Sequence, residues 1–399
     1  MSQLVSILQT VGYLALAVVL LMLMITIHEF GHYITAKILK FKIYEFSIGM
    51  GKALYQKKRK SGEVFSIRLV PLGGYCSFGE DDTSLDDTDP DSFNNKAPWK
   101  RLIVLFSGAF FNFLSAILFA VILLSLVGYG RVLSVGTTFL NRDYGVKEGA
   151  SETITLTEIL NENPEKIQAE NIQDGFIFTD DMYIESINGK KMNLLPTTGA
   201  GTILQKAKEG DEVKLVVIFA DKSTANVTIN GITERQWAAL GNAGYALPPN
   251  EHVYHNVGGA LLKAVPFSFE IAGMVLKILG QLVTGQLGMN AIGGTMATVS
   301  VMGDAIGQAL SGGALNAIAQ ISFLITLISI NLAVFNWLPI PSLDGARMVF
   351  VIIEWIRKKP INRDLEAKIH MIGIICLIGF VIFADIFWIV NNLGMHMLL

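Results

Sequence analysis

Residues 1–37 read MSQLVSILQTVGYLALAVVLLMLMITIHEFGHYITAK. The first 27 hold no charged side chain, and the run closes on His28-Glu29-Phe30-Gly31-His32, just before the first lysine, Lys37. A helix needs about 20 apolar residues to cross the hydrocarbon of a bilayer. The stretch therefore predicts a spanning helix over about 5–36 that carries ionisable groups near one end. It has no basic amino-terminal region, and its apolar run is too long for a secretory signal peptide.

The rest of the chain repeats the pattern. Residues 102–130 and 305–343 hold no charge, and 371–399 hold one, Asp385. With 51% hydrophobic and 16% charged residues among 399, the composition is that of an integral membrane protein. The expected fold is a polytopic α-helical membrane protein with four transmembrane helices, about 5–36, 102–127, 318–340 and 371–393. No basic domain stands apart, which argues against nucleic acid as a partner. Cys76 and Cys376 are too few for a disulfide framework and read as plain buried residues.

Charge orients these spans. Residues 37–101 carry twelve Lys or Arg and residues 341–370 carry six, while the first 36 and last 29 carry none. Basic loops stay on the cytoplasmic side. Residues 37–101 and 341–370 are therefore expected in the cytoplasm, with both termini and 131–317 outside. Within 257–287, Lys263, Glu270 and Lys277 recur every seven residues on one helical face. This segment is expected to lie on the outer membrane surface, followed by a Gly-rich loop or re-entrant stretch over 285–313. The domain plan is then a membrane core part over 1–130, an outer domain over 131–232, the surface helix and Gly-rich loop over 233–317, and a second core part over 318–399.

In the outer domain, Asp180–Met192 reads as a strand, an Asn188-Gly189 turn and a return. Residues 196–208 look helical, and 212–219 with 225–229 alternate as strands. This strand, helix, strand, strand order resembles a PDZ domain, an α/β module that binds extended peptides at a sheet edge.

HExxH on a helix sets two imidazoles on one face, where both can hold one Zn²⁺, with Glu29 beside them as acid/base. A catalytic zinc takes a third protein ligand. His28 and His32 lie roughly 7–14 Å inside the end of the helix at ~1.5 Å per residue. Asp344 is the first charge after 39 uncharged residues, so its depth fits. Pro339 and Pro341 prevent regular helix there, and irregular backbone at membrane depth is tolerated where it lines a wet cavity. Asp385 (deeper, and a helix-packing carboxylate), His370 (at the membrane edge) and Glu270 (outside) are weaker rivals. A transporter could use the same groups as a proton relay, but no internal repeat supports it. A scaffold displaying a peptide-binding domain would not need Glu29 between two histidines.

HEFGH at 28–32 and NWLPIPSLDG at 336–345 resemble the two signature motifs of the site-2 protease family of intramembrane zinc metalloproteases. Pro71–Tyr75, Phe93–Lys96 and Gly108–Asn112 resemble further segments of its bacterial, PDZ-containing branch. The resemblance implies one zinc held by His28, His32 and Asp344, with Glu29 catalytic. It implies that Asn112 and Gly108, of a GxxxN motif, line the site. Asn331, Asn336 and Pro339 would bind substrate, as would Gly73 and Gly74 in a β-hairpin over 63–78 that dips into the membrane. It implies single-span membrane proteins of the anti-sigma factor type, and remnant signal peptides, as substrates, with membrane lipid around the enzyme. The bacterial plasma membrane is the implied home. Some relatives carry two tandem PDZ domains; 131–255 has room for one and a tail.

Overall fold

The computed structural model describes residues 2–79, 89–127, 256–285, 294–311 and 313–392, with short segments between 133 and 230. Its contacts form two units, residues 1–123 with 271–399, and residues 124–270.

The first unit begins with α1 (Ser2–Ile38), about 55 Å long at 1.5 Å per residue and so longer than the ~30 Å hydrocarbon layer. It ends where Lys40 turns left-handed (φ 58°) and Phe41 N–H donates to Ala36 O at 2.9 Å, the 6→1 bond of a Schellman cap. Two long strands follow, β1 (Glu45–Lys58) and β2 (Val64–Ser77). Then α2 (Pro98–Val127) starts with proline at its first position, where the missing N–H costs nothing.

The strand pair corrects the expected hairpin over 63–78. Residues 45–48 pair antiparallel with 74–77 and parallel with 64–67, and 55–58 pair antiparallel with 64–67. The two arms of β2 thus lie on opposite sides of 45–48 and do not pair with each other. The fold-back of β1 falls at Gly49 and Gly51, both with φ above +80°, backbone that glycine adopts without strain. Buried Glu63, in the turn between the strands, fastens the sheet to the end of α1. It accepts from Lys37 Nζ (3.1 Å), Tyr33 Oη (3.0 Å) and Arg59 Nη1 (3.1 Å). Burial pushes its carboxyl up, but these donors outweigh burial and hold it below the usual carboxylate range.

Residues 285–313 are not a loop throughout. Thr295–Ser311 forms a 17-residue helix, here α4, after α3 (Val257–Val283). Met302 and Ile306 of α4 pack with Ala17, Leu20 and Met24 of α1 and Ile325 of α5 (Ala314–Trp337). The glycines that suggested a loop instead let helices approach: Gly303 lies against Leu14 and Gly307 against Tyr13. The chain continues with α6 (Asp344–Arg357) and α7 (Arg363–Asn392). Among the described residues five helices, α1, α2, α3, α5 and α7, are long and apolar enough to cross a membrane. α3, expected on the membrane surface from its three charges, also has spanning length and a mean hydropathy of 1.5 over its most apolar stretch, which makes it a candidate fifth span beside the expected four.

In the second unit, β7 (Tyr183–Ile187) turns at Asn188-Gly189, both at positive φ, into β8 (Lys190–Lys191). That is the tight turn the Asn-Gly pair predicts. One sheet contains β3 (Leu133–Ser134), β7, β9 (Val213–Ile218), β10 (Thr224–Ile229) and β6 (Ile167–Ala169), in that order, with β8 beside β7. Its pairings are antiparallel. Val213, Leu215, Val217, Ala225, Val227 and Ile229 alternate inward. A separate pair joins β4 (Thr138–Leu140) and β5 (Thr153–Thr155). The helix expected over 196–208 lies outside the described residues.

Candidate metal centre

Near its carboxyl end, α1 presents His28 and His32 on one face, one turn apart, both buried. The chain then brings Asp344 to them by a specific route. Pro339 and Pro341 end α5 at Trp337. Residues 340–343 make a turn, with Leu343 N–H donating to Ile340 O at 3.1 Å, Pro341 second and Ser342 at φ 83°. This is type II geometry, which favours proline second and a positive φ third. The turn aims Asp344 into the first turn of α6, where the helix dipole favours a carboxylate. Its Oδ2 lies 3.0 Å from His28 Nε2 and 3.2 Å from His32 Nε2, and the two Nε2 atoms are 3.1 Å apart.

The donor set demands a cation. His32 Nδ1 lies 2.8 Å from the Val104 carbonyl, to which it can only donate, so in the neutral ring Nε2 carries a lone pair. Asn112 Nδ2 lies 3.4 Å from His28 Nδ1, and Asn112 Oδ1 has no hydrogen-bond partner among the described residues. Turning the Asn112 side-chain amide over brings its Oδ1 to accept from His28 Nδ1–H, and the second Nε2 then presents a lone pair too. Two imidazole lone pairs and a carboxylate oxygen then face one another, a mutual repulsion that a cation relieves. Zinc bonds of about 2.0–2.2 Å in a tetrahedron set ligand atoms a little over 3 Å apart, which fits the spacing observed. Among the described residues this is the one group of three such side chains that could hold a metal.

α2 supplies the wall behind the ligands. A Cβ on Gly108 would fall 2.3 Å from His32 Nε2 and 2.8 Å from His28 Cε1, so only glycine fits there. In front is a cavity of about 740 Å³ lined by the three ligands, Glu29, Asn336, Arg347 and residues 75–79. The Cys76 backbone amide hydrogen-bonds the Glu29 carboxylate. Gly74 packs beside Glu29, with the position of its missing Cβ 3.6 Å from Glu29 Cγ, whereas Gly73 (φ 96°) faces Met50. Asn336 donates from Nδ2 to Leu332 O at 2.9 Å. Asn331 and Pro339 are not among the residues lining this cavity.

Several parts of the site escaped the sequence. A backbone carbonyl such as that of Val104 carries no signal in a side-chain pattern. Cys76, expected to be plainly buried, is half-buried and lines the cavity, and Cys376 is exposed. His370 does not join the ligands; its Nδ1 accepts from Ser342 N–H at 3.0 Å, holding the left-handed residue of the turn that aims Asp344. Asp385 lies against Gly294 at the start of α4, apart from the cluster. Arg347, one turn after Asp344, was not singled out, although the spacing i, i+3 places it on the same face.

The sequence matches the description Peptidase family M50 over residues 16–380. A candidate zinc metalloprotease of Fusobacterium nucleatum is 27% identical over 379 residues, 93% of this chain and 96% of the relative. A similarly named protein of Nostoc is 28% identical over 375 residues, 92% and 93% of the two chains. One of Rickettsia conorii is 26% identical over 375 residues, 92% and 95%. With His28, His32 and Asp344 gathered beside Glu29 in a multi-pass helical membrane protein, the chain belongs to peptidase family M50, the site-2 proteases, and is a zinc metalloprotease.

Proposed function

We propose that the protein cuts single-span membrane proteins of the anti-sigma factor type within or beside their transmembrane helix, and clears remnant signal peptides. The observation that carries this reading is the placement of Glu29 and the metal ligands in one cavity with the edge of the β1–β2 sheet. When bound by His28, His32 and Asp344, zinc supplies a Lewis acid that makes water nucleophilic near neutral pH. Glu29, held by the Cys76 amide, takes the proton of the attacking water and delivers it to the leaving amine.

A peptide bond inside a helix is shielded and internally hydrogen-bonded, so the substrate must unwind before attack. Residues 74–77 pair with 45–48 on one side only, and a substrate strand added on the other side would satisfy the freed backbone groups. Asn336, within the cavity, is suited to hold the substrate backbone, and Asn112 to orient His28. Asn331, Pro339 and Gly73 do not line that cavity and act only by shaping the walls around it.

The orientation follows the basic segments. With α3 on the outer surface and α1, α2, α5 and α7 crossing, residues 37–101 and 341–370 face the cytoplasm of a bacterial plasma membrane, and the metal site lies toward that side. The outer unit acts as one PDZ-like module that excludes substrates whose bulky outer domain is still attached. Deleting 131–232 is expected to let intact substrates be cut; unchanged discrimination overturns this gating role.

The central test is cleavage of a tagged single-span substrate in membranes by wild type and Glu29→Gln, with metal measured on both. Zinc at about one per chain in both, with cleavage lost only in Glu29→Gln, is the expected result. Equal cleavage by the two proteins overturns the role of Glu29.

A further inference from the structure

A second cavity, of about 760 Å³, opens between the start of α2 and the turn joining α6 to α7. Lys96, Arg101, Lys358, Lys359 and Arg363 line it, against one acid, Glu354. Glu354 is shared by Arg101 Nη2 (2.5 Å) and Arg363 Nη2 (3.3 Å), and Lys96 pairs with Asp91. Lys358 and Lys359 have no acidic partner among the described residues. The decisive feature is Arg101. It is only 4% exposed, yet its Nε and Nη1 have no hydrogen-bond acceptor among the described residues. Two buried guanidinium donors left unmatched cost several kilocalories in most settings, so the site is built for an acceptor with more than one oxygen.

Its location selects the ligand. Pro98 opens α2, a helix of spanning length, so Arg101 lies one turn inside a span's end. Trp99, next to Pro98, and Trp355, which lines the cavity, are both exposed, and such aromatic side chains favour the membrane surface. We infer that this cavity binds the phosphodiester headgroup of an anionic phospholipid, with Arg101 Nε and Nη1 donating to phosphate oxygens and Lys358 and Lys359 supplying the remaining charge. Planar guanidinium donors match phosphate oxygens in pairs. The bound headgroup also completes the Arg101–Glu354–Arg363 cluster, which joins α2, behind the metal ligands, to α6, which carries Asp344.

The test uses the full-length protein, purified in detergent and titrated with phosphatidylglycerol or phosphatidylcholine while native mass spectrometry counts retained lipid. The expected result is one tightly retained phosphatidylglycerol per chain and at least roughly ten-fold weaker phosphatidylcholine, whose choline meets the lysines. Lys358→Ala with Lys359→Ala is expected to weaken phosphatidylglycerol about 30-fold, at roughly five-fold per lysine, with zinc content unchanged. Arg101→Lys keeps the charge toward Glu354 but loses the paired donors, and is expected to weaken retention about ten-fold; should it fail to fold, the lysine pair still decides. Equal retention of both lipids, or retention indifferent to the lysines, overturns the site. So does displacement by millimolar inorganic phosphate, which would assign it to the free anion, or capture of an acidic peptide in place of lipid.

Discussion

α5 and α7 are both apolar, and α7 is the more so, with a mean hydropathy of 2.6 over its most apolar stretch against 2.1 for α5. Yet 44% of that stretch is buried within the protein in α5 and 6% in α7. In water the ranking would be reversed, because apolar surface seeks the core. In a bilayer, lipid is as apolar as leucine, and helices meet where small and weakly polar residues allow close packing. α5 has such a face: Ser322, Thr326 and Ser329 are buried, Ser115 Oγ of α2 donates to Ser329 Oγ at 3.2 Å, and Thr326 Oγ1 donates to Ala116 O at 3.4 Å. α7 touches the fold at points that include Arg363 on Glu354, His370 on Ser342, Gly373 on Pro341 and Asp385 on Gly294, and most of its length is exposed.

The sharpest break in this comparison pairs the two carboxylates of these regions. Asp344→Asn removes a charged ligand, and both zinc content and cleavage are expected to fall by at least roughly 100-fold. Asp385→Asn on α7 is expected to keep about one zinc per chain. Zinc retained in Asp344→Asn and lost in Asp385→Asn would exchange their roles.

Glu354 tests how α7 is tethered. Burial pushes its carboxyl up, but the Ile361 amide and the guanidinium groups of Arg101 and Arg363 outweigh burial and hold it below the usual range. A carboxyl lowered by folding contributes stability that is present above its ordinary pKa of 4.5 and lost as pH falls through the lowered value. Removing one partner of a buried pair costs about 3–5 kcal/mol. Glu354→Gln should therefore lower the melting temperature at pH 7, and the gap to wild type should narrow on acidification. A gap that widens in acid contradicts the assignment.

The third test contrasts two glycines. Gly108→Ala forces a methyl onto the imidazoles, so zinc affinity is expected to fall about 10–100-fold, read by competition with a chelating dye. Gly379→Ala on α7 has nothing within 4 Å of the new methyl. It is expected to leave affinity unchanged and stability within about 0.5 kcal/mol. Comparable losses from both would mean that α7 packs more tightly than described.

Charge-free runs made α1, α2, α5 and α7 legible because a span must exclude charge over about 20 residues. His28 and His32 were legible because i, i+4 is fixed by the pitch of one helix. Asp344 could be ranked first by depth alone. α4 was not legible, since glycines weaken a helix in isolation and only the neighbouring Leu14 and Tyr13 show why they are there. The interleaved β1–β2 pairing was hidden for a related reason: alternation marks strands, not which arm passes between the others.

Sequence by itself determined the membrane class, the HExxH face, the Pro339 and Pro341 break and the segments in which positive charge gathers. These follow from local rules, the pitch of a helix, the ring of proline and the cost of a charge in hydrocarbon. Tertiary structure alone decided that Val104 and Asn112 set the imidazoles, that His370 holds the Asp344 turn and that the Cys76 amide meets Glu29. Each joins residues at least 28 positions apart, through backbone groups that every residue carries or side chains whose partners are chosen only when helices pack.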